Sequence, residues 1–184
     1  MYSLSQLRRA LSHPAVFLRE ANRIYHRRGY GRTYNAGGID VFDEDWDTLI
    51  ILDGCRLDLL ENRTDLDGRL ETRTSRGSTT VEFLRGNVAD RELLDTVYVT
   101  ANPQFYRHRE ELQGSFHRTI NIWKELGWDD TYGTVLPETV TQRALDAHDE
   151  YPKKRIIVHY IQPHYPFLTE ATEFDKGYIE SDTE

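Results

Sequence analysis

The stretch TLIILDGCRLD, residues 48–58, is an apolar run that stops on an acid, a glycine and a cysteine. A run of this length bounded by Asp-Gly reads as a buried strand, 48–52. Its carboxyl end carries Asp53, with Arg56 and Asp58 just beyond. Asp53 then has two readings. It is a residue of the turn that ends the strand, or it is held at the strand end as a metal ligand. The remaining strands decide which reading has company.

DTVYVTANP (95–103) is a second β-rich run, strand 96–101, closing on Asn102-Pro103, and KKRIIVHYIQPHYPF (153–167) contains a third, 155–161, running into a Pro-His loop. RLETRT (69–74) alternates weakly, as an edge or half-exposed strand does. Between the strands, SRGSTTVEFLRG (75–86) holds a turn, hydroxyls at a helix start and a short helix ending near Gly86. Thr79 or Ser78 with Glu82 behind it matches a capping box. A further helix follows Pro103, residues 115–133 are mixed in character, and Pro137 opens a helix with Val140, Ala144 and Ala147 on one face. Strands alternating with helices predict an α/β fold with a largely parallel sheet flanked by helices.

The chain has 184 residues, 38% hydrophobic and 29% charged, which is enough to bury one large domain. No apolar run approaches the roughly 18 residues of a membrane span. Met1 leads into a charged amphipathic stretch, so no secretory signal is expected and a cytoplasmic location is. Cys55 is the single cysteine, which leaves no disulfide within the chain and no cysteine-built zinc site. Residues 1–32 hold seven arginines and one acid, a net of +6, and the overall charge of −8 leaves −14 for the rest. Residues 1–36 therefore read as a basic helical segment and linker, with two short helices broken at Pro14, and residues 37–184 as the α/β domain. An acidic body argues against nucleic-acid binding. The basic segment is expected to dock on the acidic body or to make peripheral contact with a membrane surface.

Three strand ends carry polar groups: Asp53, Asn102 and His164. Ligands of open parallel sheets bind beyond the carboxyl ends of the strands. Ser78 and Thr79 stand at a helix start, where free N–H groups and the helix dipole favour an anion, although capping alone also explains a hydroxyl there. An acid for a metal, a hydroxyl nucleophile and a histidine donor together suit a phosphate or sulfate ester: the metal lowers the hydroxyl's pKa and neutralises the ester. His159, inside the third strand, reads as a packed histidine.

TLIILDGCRLD resembles the first strand of the alkaline phosphatase and sulfatase superfamily, in which such a run ends in Asp-Gly-x-Arg. RIIVHYIQPHYPF is similar to the sulfatase segment whose His follows a Pro and precedes an aromatic-Pro stretch. SRGSTTVEFL lies where that family carries its nucleophile at a helix amino terminus. The resemblance covers about residues 46–168. It implies a divalent metal (Ca²⁺, Zn²⁺, Mg²⁺ or Mn²⁺) on Asp53, a contact from His164 to the ester oxyanion, and Thr79 as nucleophile with Ser78 in reserve. Asn102 and Arg56 are the candidate substrate contacts. Thr79-Thr80-Val81 lacks the family's nucleophile-x-Pro, and without Cys-x-Pro-Ser-Arg there is no formylglycine.

The family's further metal ligands, an Asp-His pair and more histidines, have no counterpart before Glu184. The resemblance thus implies the amino-terminal half of the fold. Such a half is expected to be a hydrolase or transferase of phosphate or sulfate esters by ancestry, with weak metal binding, little activity and self-association through exposed apolar sheet. The alternative is a non-catalytic binding module that retains the same half.

Overall fold

A computed structural model describes residues 33–61, 67–125, 127–166 and 168. The two expected helices of residues 1–32 lie outside the described residues. Residues 34–168 form one compact unit. Its elements are β1 (Thr48–Leu52), α1 (Leu57–Glu61), α2 (Thr80–Asn87), β2 (Glu92–Thr100), α3 (Gln104–Arg107), α4 (Arg109–Leu112), β3 (Ser115–Asn121), a 3-10 turn (Ile122–Lys124), β4 (Trp128–Asp129), β5 (Thr134–Val135), α5 (Pro137–Glu150) and β6 (Arg155–Tyr160).

Four strands make one parallel sheet in the order β1-β6-β2-β3, and β4 and β5 form a separate antiparallel pair. The fold is α/β with a largely parallel sheet flanked by helices. Parallel strands need covering on both faces, and the alternation of side chains sorts each strand between two cores. Val97, Val99, Ile156 and Val158 face α5, whose Val140 and Ala147 are buried against them with Ala144 alongside. Tyr98 and Ile157 face the other way, under Leu84 and Val88 of the α2 region, with Phe105 and Leu112 closing that side. No helix among the described residues is long and apolar enough to cross a membrane.

Two elements differ from the sequence reading. Residues 69–74 form no strand: Leu70 is exposed and finds no core, and the segment makes only isolated backbone bonds such as Ile39 N–H to the Thr74 carbonyl. Within 115–133, β3 was not anticipated as a strand. Phe116 and Ile120 are its only large apolar residues, and they pack on opposite faces.

β1 is the outer strand of the sheet among the described residues. Its register with β6 places Ile50 beside Val158, on the face α5 covers. α5 lies over β2 and β6, so Ile50 is 59% exposed and Leu52 39%. An apolar outer strand with no Lys or Pro to blunt it invites pairing with another chain. Sedimentation velocity should therefore show concentration-dependent association, and Ile50→Glu should reduce it while changing stability by no more than about 0.5 kcal/mol. Association unaffected by this change would place the contact elsewhere.

Candidate functional site

The parallel register brings the carboxyl ends of β1, β6 and β2 to one rim. The Asp53 amide bonds the Tyr160 carbonyl at 3.3 Å, continuing the β1–β6 ladder one residue beyond the strand. Gly54 then turns the chain with φ +70°, a conformation that glycine adopts at no steric cost. A Cβ built on Gly54 would lie 3.5 Å from the His164 ring, so the Pro-His loop packs directly on the Asp-Gly turn. His164 is exposed, and its Nδ1 lies 2.8 Å from the Tyr165 carbonyl.

The carboxylate of Asp53 is held by two donors. Thr80 Oγ1 is 3.1 Å from each of its oxygens, and Asn102 Nδ2 donates to Oδ2 at 2.6 Å. Asn102 is itself fixed. Its Oδ1 accepts the Gln104 amide at 2.9 Å, which settles which end of the side chain is the donor. Its own backbone N–H donates to Thr100 Oγ1 at 3.0 Å. Asn102 is 6% exposed, whereas Asp53 is half-buried and open to the rim. Three separate elements (the β1 end, the first residue of α2 and the β2 end) thus converge on one carboxylate.

The hydroxyls singled out from the sequence do something else. Thr79 is the N-cap of α2, accepting the Glu82 amide on Oγ1 at 3.3 Å. Ser78 bonds the Glu82 carboxylate through both its amide (2.9 Å) and its hydroxyl (2.7 Å). This is a capping box displaced by one residue, since Glu82 reaches the amide before the cap rather than the cap's own. Thr80 is the hydroxyl at the rim, and the sequence reading passed over it. The signal was present: a capping hydroxyl turns back onto its helix, leaving the next residue's side chain free to point elsewhere. Arg56 is bound bidentately by Asp58 at 2.9 and 3.1 Å, on the surface. Cys55 is a free thiol at the start of the same loop.

The residues present do not by themselves fit a divalent cation. Asp53 offers one carboxylate and Thr80 one hydroxyl, whereas Asn102 turns a donor toward Asp53 and its oxygen away. Among the described residues, no group of three or more His, Cys, Asp or Glu could share an ion. Hard cations take six to eight oxygens, or four ligands in the case of zinc. What the geometry does supply is a hydroxyl bonded to a carboxylate that a third group orients, the arrangement of an activated nucleophile.

Compared with protein-family models, with curated proteins and with solved structures, the chain matches none.

Proposed function

We propose that the chain acts on phosphate or sulfate esters through this rim, with Thr80 as the nucleophile, Asp53 as its base and Asn102 as the group that aims the base. The observation that carries this reading is the bond from Thr80 Oγ1 to both Asp53 oxygens. Thr80 Oγ would attack phosphorus or sulfur as the bond to the leaving oxygen breaks, and its proton would pass to Asp53. His164, whose ring packs on the Asp-Gly turn, would contact the ester's oxyanion. The resemblance to the alkaline phosphatase and sulfatase superfamily supports the same substrate class.

General-base help from a single carboxylate is worth only about 10²–10⁴-fold. The proposed outcome is therefore one slow transfer with little turnover. With p-nitrophenyl phosphate or sulfate, nitrophenolate release should not exceed one equivalent, whether or not Ca²⁺, Mg²⁺, Mn²⁺ or Zn²⁺ is added. Thr80→Val should abolish that release. No release from the unaltered chain, or equal release from Thr80→Val, would refute the nucleophile and favour the alternative of a non-catalytic binding module, which the satisfied state of Asp53 also suits.

A further inference from the structure

On its α5 side β1 is bare: Thr48, Ile50 and Leu52 are all exposed, whereas Leu49 and Ile51 on the other face are partly buried. One ridge of α5 overlooks that bare face. Glu138, Thr141, Leu145 and Asp149 follow the i, i+3, i+4 spacing that lines residues up along a helix. Two contacts fix which way the ridge points. Thr141 Oγ1 lies 2.8 Å from the Tyr160 hydroxyl, and Tyr160 is paired with Leu52 of β1. On the opposite flank of α5, Arg143 bonds Glu125, just past β3, at 2.7 Å. Four residues of helix rise about 6 Å and two of strand as much, so Leu145 stands level with Val158 and its neighbour Ile50. Leu145 is 57% exposed. The result is a groove with Ile50 and Leu52 as its floor and Leu145 as its wall, under an exposed acid at each end of the ridge.

We propose that this groove docks a cationic amphipathic helix of a partner protein, its apolar stripe on Ile50, Leu52 and Leu145 and its Lys or Arg side chains against Glu138 and Asp149. Spacing selects a helix over a strand. α5 lies over β6 and β2, so the strand spacing puts β1 about 7 Å to the side of its axis. A helix packed beside α5 at roughly 8–10 Å therefore sits over β1. A strand added to the edge, β1 of a second copy included, pairs the backbone and leaves Ile50 and Leu52 bare on this face. Charge selects the sign of the partner. Both ends of the ridge are acidic, the only arginine of α5 is turned to Glu125, and the chain carries −8 overall. The surface stands apart from the chemistry at Thr80.

The test is fluorescence anisotropy of a labelled peptide titrated with the full chain. The peptide is a helix former of Leu and Lys, with Leu at the i, i+3, i+4 spacing; a second carries Glu in place of every Lys. The Lys peptide should bind saturably, and Ile50→Ser or Leu145→Ser should each weaken it about tenfold, the worth of one large apolar contact. Glu138→Gln combined with Asp149→Asn should weaken it too and flatten its salt dependence. Leu94→Ser, at an equally exposed leucine near the amino end of β2, should change nothing. All are surface changes that the fold tolerates. Absence of saturable binding, equal binding of the Glu peptide, or equal weakening by Leu94→Ser would overturn the proposal. So would a Leu145→Ser chain that self-associates less in sedimentation while binding the peptide unchanged, because a second copy would then be what fills the groove.

Discussion

Asp40→Ala is expected to destabilise the fold by about 3–5 kcal/mol, the cost of removing one partner from a buried ion pair. Asp40 is 7% exposed and binds two arginines, Arg76 at 2.9 Å and Arg91. Its carboxylate also accepts the Phe42 amide at 3.0 Å. Arg76 in turn donates to the Gly86 carbonyl at 2.6 Å, tying the loop before β1 to the last turn of α2. Without Asp40, two half-buried guanidinium groups lose their shared counter-charge. Burial alone would raise the Asp40 carboxyl, but hydrogen bonds from Arg91 and the Phe42 amide, with the charges of Arg91 and Arg76, outweigh it and hold the group below its ordinary value. A depressed carboxyl contributes stability in full above the unfolded value of about 3.9. That stability is lost as pH falls through the lower folded value. Denaturant unfolding should show this acid limb in the unaltered chain and a flatter one in Asp40→Asn. Equal limbs would mean that the cluster contributes little.

Asp53→Ala should have the second large effect, and it should be felt twice. Transfer to Thr80 should fall by about 10²–10⁴-fold, because the hydroxyl loses its base. Stability should fall by about 1–3 kcal/mol, because Asn102 Nδ2 is left buried without its acceptor. Paired measurements of nitrophenolate release and of urea unfolding check both. A variant that loses stability but keeps its reactivity would make Asp53 a structural strand end, which was the plainer of the two readings of TLIILDGCRLD.

The parallel sheet was legible because its strands are nearly continuous apolar runs, TLIIL, VYV and IIV, although TLIIL, read as a buried strand, is an outer strand that leaves Ile50 and Leu52 exposed. β3 was not, since in SFHRTIN the apolar positions divide between two faces and charged residues fill the rest. The segment 69–74 shows the reverse failure, in which alternation without an apolar partner gave the period of a strand and no ladder. The rim followed from the rule that parallel sheets work at their carboxyl ends, and Asp53 and Asn102 meet there. The hydroxyl that meets Asp53 belongs to Thr80, one residue beyond the expected Thr79. The choice between Thr79 and Thr80 depends on where α2 begins, and a one-residue shift turns a rim group into a cap. Arg56 pairs with Asp58 on the surface, an arrangement that no spacing rule separates from a substrate contact.

The central claim is that Thr80, and not its neighbours, is the reactive hydroxyl. The most direct test is peptide mass mapping of the chain after incubation with p-nitrophenyl phosphate. A single phosphoryl group on Thr80 is predicted, retained in Thr79→Ala despite the roughly 1 kcal/mol lost with the cap, and absent in Asp53→Ala. A phosphoryl group on Ser78 or Thr79, or one on Thr80 that persists without Asp53, would contradict the account.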